Sequence, residues 1–209
     1  MSNHHLQVKQ LACIRGDRHL FSGLDIDLSS GQLLYLQGRN GSGKTTLLRT
    51  LCGLFHPDEG EVLWSGKRMA EMGESFYQQV LYIGHAPGIK LDLTPVENLR
   101  VYSRLHGLGA DEQALWQALQ TLGLKGFEDL PARMLSAGQK RRIALARLFI
   151  DRAALWILDE PFTALDVAAV ELLQSLIVGH VDRGGMVILT THQEVKLPDH
   201  QVQRLRLGE

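Results

Sequence analysis

A chain of 209 residues with 44% hydrophobic and 22% charged side chains is sized for one domain, or one with a modest insertion, burying about 70% of its extended surface. Its formal charge of −1 supplies no long-range field for DNA or RNA, which argues against nucleic acid as a partner. No apolar stretch approaches the ~18 residues that span a bilayer, since Arg147, Asp159 and Asp182 interrupt the longest ones, so any membrane role is expected through a partner subunit.

The opening Met1-Ser2-Asn3-His4-His5 lacks the charged and apolar regions of a secretion signal. Residues 6 to 14 and 24 to 28 read as antiparallel strands around the turn Arg15-Gly16-Asp17-Arg18. Cys13 and Cys52 lie in apolar surroundings, form neither a metal spacing nor a disulfide framework, and are expected as buried thiols of a reducing cytosol. Next comes an apolar strand, Leu33-Leu34-Tyr35-Leu36, then Gly38-Arg39-Asn40-Gly41-Ser42-Gly43-Lys44-Thr45-Thr46, then a helix opening with Leu47-Leu48. Two glycines bracketing four residues before Lys-Thr, between strand and helix, is the phosphate-binding loop pattern. Its glycines permit backbone conformations closed to other residues, so successive amides can turn towards phosphate oxygens, and the helix adds its positive end. Lys44 is expected on the β- and γ-phosphates of a nucleoside triphosphate and Thr45 on Mg²⁺.

Glu61 to Trp64 reads as a short strand before the Ser65-Gly66-Lys67 turn, and Val80 to Ile83 as a buried parallel strand ending at Gly84-His85. Thr94-Pro95-Val96-Glu97 starts a helix with a capping box, running to about His106, and Asp111 to Leu122 forms another, closed by Gly123. Ser136-Ala137-Gly138-Gln139 has the same capping-box spacing and predicts a helix to about Asp151. Residues 86 to 151 thus read as a helical subdomain inserted into a core of 1–85 and 152–209. Lys140, Arg141 and Arg142 diverge around that helix instead of forming a basic stripe, so solvation and pairing within the subdomain is expected of them. The core resumes with the strand Leu155 to Leu158, a helix from Asp166 to about Asp182, the strand Met186 to Leu189 and a last strand from Val202 to Leu207.

Two further stretches carry chemistry. The strand at Leu155 ends in Asp159-Glu160: one carboxylate suits Mg²⁺, while the next points elsewhere and suits a general base that polarises water. A lone strand ending in acids is common, but paired with a phosphate loop it reads as a metal-nucleotide site. Leu135-Ser136-Ala137-Gly138-Gln139 places two small residues at a helix N-terminus, offering bare amides to a phosphate.

That last stretch resembles the LSGGQ signature of ATP-binding cassette (ABC) ATPases, with Ala137 in place of the first glycine. The phosphate loop, the signature, Asp159-Glu160, Ala164-Leu165-Asp166 and His192 stand in the family's order, so the resemblance spans essentially the whole chain. It implies an α/β fold: a P-loop NTPase (RecA-like) core with an N-terminal antiparallel β subdomain and an inserted helical subdomain. It also implies a head-to-tail homodimer in which Ser136 and Gly138 of one copy touch the γ-phosphate on the other. Asp166 would couple the two sites, and His192 would contact the γ-phosphate and orient Glu160.

His85 stands where the family usually has a glutamine that senses Mg²⁺ and leads to the membrane subunit, and is a possible metal ligand. Arg15 falls where an aromatic usually stacks on adenine, with Phe21 as a rival. The runs Tyr82 to Lys90 and Trp156 to Asp166 further resemble ATPase subunits of bacterial cytochrome c maturation complexes. That implies an integral membrane permease subunit as partner, a peripheral place on the cytoplasmic face of the inner membrane, and ATP hydrolysis energising haem handling or export. The nine histidines are scattered and Cys-x-x-Cys-His is absent, so direct haem binding is not expected. Another small ABC transporter, or a non-transport ABC ATPase, is the alternative.

Overall fold

The computed structural model describes residues 4–16, 18–191 and 193–208. In chain order the elements are β1 (His5–Arg15), β2 (Arg18–Ser29), β3 (Leu33–Gly38), α1 (Lys44–Leu51), β4 (Glu59–Trp64), β5 (Lys67–Arg68), α2 (Met69–Met72), α3 (Glu74–Tyr77) and β6 (Val80–Ile83). After these come α4 (Pro95–Leu105), α5 (Glu112–Thr121), α6 (Ala137–Leu145), α7 (Arg147–Ile150), β7 (Leu155–Asp159), α8 (Val167–Asp182), β8 (Met186–Thr190) and β9 (Val202–Leu207). Two compact units divide them. The first holds Met1–Tyr82, Ala153–Glu160 and Ile177–Glu209; the second holds Ile83–Arg152 and Pro161–Leu176.

The first unit contains two sheets. An antiparallel one runs β2-β1-β4-β5, and a five-stranded one runs β6-β7-β8-β3-β9, in which β3 pairs in parallel with β8 and β9, and β7 with β8. Every residue of β7 and β8 is buried, as expected of central parallel strands covered on both faces. Leu47, Leu48 and Leu51 of α1 join Leu6, Leu11 and Leu28 of the antiparallel sheet and Leu34, Leu36, Ile157 and Ile188 of the parallel one in a single apolar cluster. Helix α1 is therefore fixed by burial, and with it the position of its N-terminus.

Strand β2 is longer than the 24–28 read from sequence. Its first half pairs with β1 as far as Arg15 opposite Arg18, but the register shifts at bulges, where Gln10 takes φ 49° and its amide donates to Asp25 Oδ1 at 2.8 Å. Bulges erase the alternation by which a strand is recognised.

The second unit is helical. Thr94 caps α4 in a capping box, accepting from the Glu97 amide at 3.2 Å while its own amide donates to Glu97 Oε2 at 2.8 Å. Asp111 caps α5. The helix expected to run unbroken from Ser136 tightens at Ala146, where the Phe149 amide bonds back only three residues at 3.2 Å, and so divides into α6 and α7. Among the described residues no helix is long and apolar enough to cross a membrane.

Leu48 is fully buried and Leu105 is 79% exposed. Leu48→Ala is therefore expected to lower unfolding free energy by about 2–5 kcal/mol, and Leu105→Ala to change it by less than about 0.5 kcal/mol, in urea denaturation followed by circular dichroism.

Candidate functional site

The first unit assembles the phosphate loop at the end of β3. Gly38 takes φ 145°, and a Cβ there would lie 2.6 Å from Ser42 Oγ and 2.7 Å from the Leu207 carbonyl oxygen. Gly43 caps α1 in a left-handed conformation, φ 98°, with Leu20 and Phe21 so close that a Cβ would come within 3.1 Å of Leu20 Cβ. Gly38 is thus required by packing as well as by backbone angle, and Gly43 by its backbone angle in tight surroundings. Within the loop Lys44 Nζ donates to the carbonyls of Gly38 at 2.7 Å and Arg39 at 3.2 Å. The Ser42 hydroxyl is buried and makes no hydrogen bond among the described residues.

The end of β7 closes onto the start of α1. Asp159 is 3% exposed, and both its oxygens are engaged: Thr45 Oγ1 donates to Oδ2 at 2.9 Å and Thr190 Oγ1 to Oδ1 at 2.7 Å. Glu160 follows at φ 48°, an uncommon conformation for a non-glycine residue, with its amide held by the Thr190 carbonyl at 3.1 Å and hydroxyl at 2.8 Å. A cleft of about 560 Å³ opens at this end of the sheet, with Gly38, Arg39, Lys44, Glu160, Thr191 and Arg206 in its lining. Cationic groups and half-buried Glu160 thus share one opening, an arrangement that suits an anion beside a base.

The second unit carries Leu135 to Gln139, Asp166 and His85. Leu135 is buried, while Ser136 and Ala137 are exposed. Ser136 caps α6, accepting from the Gln139 amide at 3.2 Å while its own amide donates to Gln139 Oε1 at 2.8 Å. A Cβ on Gly138 would lie 2.7 Å from the Ala164 carbonyl oxygen. Asp166 caps α8 by accepting from the Ala169 amide at 2.9 Å, and Arg142 Nη2 donates to its other oxygen at 2.5 Å. The Ala169 amide first, and Arg142 second, hold the Asp166 carboxyl below the usual range. His85 is exposed, and Arg141 Nη1 donates to the preceding Gly84 carbonyl at 2.6 Å.

Two residues named for adenine stacking separate clearly. Phe21 is core, 8% exposed. Arg15 is exposed and lays its guanidinium over the Phe55 ring, 4.8 Å from the centroid. His192 lies outside the described residues. Sequence reasoning missed Thr190, and expected Arg142 to pair within the subdomain without naming Asp166 as its partner. A buried threonine closing an apolar strand has no pattern of its own, and the Arg142 pair becomes visible only once Asp166 is brought to it.

The ABC transporter family pattern matches residues 21–163. The cytochrome c biogenesis ATP-binding export protein CcmA of Nitrosospira multiformis is 53% identical over 197 residues, 94% of this chain and 96% of that protein. CcmA of Dechloromonas aromatica is 52% identical over 97% of this chain and the whole, 100%, of that protein. Among solved structures, the dimeric post-hydrolysis state of an ATP-binding cassette bound to ADP and Pi has a TM-score of 0.81, at 20% identity, covering 98% of this chain and 97% of that one. With a family pattern over most of its length and relatives identical at half their positions, this chain belongs to the ABC transporter family.

Proposed function

We propose that this chain is the ATP-binding and ATP-hydrolysing subunit of a membrane export complex serving c-type cytochrome biogenesis, with haem handling or export as the process it energises. The observation that carries the nucleotide site is the 2.9 Å hydrogen bond from Thr45 to Asp159, which sets a hydroxyl and a buried carboxylate together beside the phosphate loop. The cytochrome c biogenesis assignment is supported by the names of the close relatives.

In this reading the amides of Gly38 to Thr46, with the Arg39, Asn40 and Ser42 side chains around them, receive the triphosphate. Lys44 exchanges the carbonyls of Gly38 and Arg39 for phosphate oxygens. Thr45 and Asp159 are the hard oxygen donors that Mg²⁺ takes beside a nucleotide, so the residues present fit that ion. Bound there, Mg²⁺ supplies neutralisation of the charge on the phosphates as the terminal bond breaks. Glu160 accepts a proton from the attacking water, and His192 orients that water. Arg15, seated over the Phe55 ring, offers its guanidinium to adenine.

A second copy, head to tail, supplies the signature Leu135 to Gln139 across the shared site, with Ser136 and the Gly138 amide on the γ-phosphate. Its Asp166 couples the two sites. The cassette bound to ADP and Pi is itself dimeric, which supports this arrangement. The 86–151 segment is the helical signature subdomain, and His85 begins the path to an integral membrane permease subunit, CcmB-like, that holds the protein to the cytoplasmic face of the inner membrane.

In Lys44→Ala, binding of ATP or its turnover is expected to be lost; normal hydrolysis would remove the site. Glu160→Gln is expected to retain ATP and accumulate as a dimer in gel filtration with Mg-ATP, with turnover reduced on the order of 10²- to 10⁴-fold. Only monomer, with or without the membrane partner, would count against the shared site. Affinity capture from solubilised membranes, read by mass spectrometry, is expected to recover an integral membrane permease; recovery of soluble proteins alone would count against transport.

A further inference from the structure

Four residues of β8, Met186 to Leu189, are apolar and buried, and the strand then ends in a hydroxyl. Thr190 is completely buried, and the parallel register sets it opposite Asp159. Valine would fill the same volume on the same β-branched backbone without burying a polar group. The threonine hydroxyl is instead used in both directions. Its proton goes to Asp159 Oδ1 at 2.7 Å, and a lone pair accepts the Glu160 amide at 2.8 Å. A hydroxyl has a single proton to give, so these two contacts fix its rotation.

We infer that Thr190 is a positioning residue for nucleotide hydrolysis. By holding Oδ1 it turns the Asp159 carboxylate so that Oδ2 faces Thr45, at 2.9 Å, on the side where the cation would sit. By holding the amide of Glu160 it pins that residue at φ 48°, a sparsely populated conformation that persists only where the surroundings enforce it. The direction in which the Glu160 side chain leaves the strand follows from that angle. One hydroxyl therefore orients both the metal-binding carboxylate and the base. Loss of the hydroxyl leaves the Glu160 amide paired with the Thr190 backbone carbonyl at 3.1 Å, so a valine variant keeps its backbone satisfied while losing the hold on Asp159 Oδ1 and one of the two holds on the Glu160 amide.

The inference rests on the reading of Asp159 and Glu160 given under Proposed function, and the test separates the two. Full-length parent, Thr190→Val, Thr190→Ser and Lys44→Ala are compared by binding of a fluorescent ATP analogue in EDTA and across a Mg²⁺ titration, with thermal melting and ATPase turnover alongside. Thr190→Val is expected to bind the analogue in EDTA like the parent and to melt below it, because Asp159 Oδ1 loses a buried donor, while needing about 10- to 100-fold more Mg²⁺ to tighten binding, with turnover falling by a similar factor. Thr190→Ser, which keeps the hydroxyl, is expected to restore most of both. An unchanged Mg²⁺ dependence in Thr190→Val overturns the inference, as does a serine variant no better than valine. Should Thr190→Val fail to fold, Thr190→Cys, with its weak donor, is judged by the same criterion. Parent-like nucleotide binding in Lys44→Ala would overturn the nucleotide reading itself, whatever the Thr190 variants do.

Discussion

The hydrogen bond between Thr45 and Asp159 joins residues 114 apart in the chain, and the candidate site depends on it. Asp159 ends a strand whose five residues are all buried, where a carboxylate with empty oxygens would cost several kcal/mol or force protonation. Two hydroxyls, from the start of α1 and the end of β8, meet that demand. The same contacts bring the first turn of α1 and the ends of two parallel strands to one place. Three buried leucines hold α1 from behind, so the phosphate loop is set by apolar packing on one side and by a polar junction on the other.

In the second unit, guanidinium groups do comparable work on backbone. Arg141 Nη1 donates to the Gly84 carbonyl at 2.6 Å, Arg147 Nη2 to Gly88 at 2.6 Å, and Arg142 Nη1 to Leu122 at 2.9 Å. A guanidinium has several donors in a fixed plane, which suits loops that expose carbonyls without a regular partner. The 84–88 segment is thereby fastened to α6 and α7. Asn98, buried in α4, adds a second anchorage through Lys90, Leu93 and Thr94. Asp166 belongs to the same system, since Arg142 reaches both it and the end of α5.

Much of this was legible in the sequence because its causes are local. The glycines of the phosphate loop, the capping boxes at Thr94 and Ser136, and the acidic end of β7 each depend on residues within a few positions of one another. The expectation that Arg141 and Arg142 pair within the subdomain also follows from their divergent directions on one helix. What escaped depends on irregular pairing or on partners far along the chain. The first half of β2 is a strand because β1 pairs with it through bulges, and Arg15 sits over the ring of Phe55, forty positions on. Thr190 escaped for a related reason: a single hydroxyl in an apolar run acquires meaning only when parallel pairing sets Asp159 beside it.

The signature departs from the family at Ala137, and its packing accounts for where the departure falls. Ala137 is exposed at the first position of α6. At Gly138 a methyl would lie 2.7 Å from the Ala164 oxygen, on the loop that leads into Asp166. The two small residues are therefore unequal: a methyl group is accommodated at the first and favours the helix, whereas main-chain proximity leaves no room for one at the second. The turn at Ser136 to Gly138 and the loop ahead of α8 thus meet backbone to backbone, at a separation that leaves no room for a side chain on Gly138.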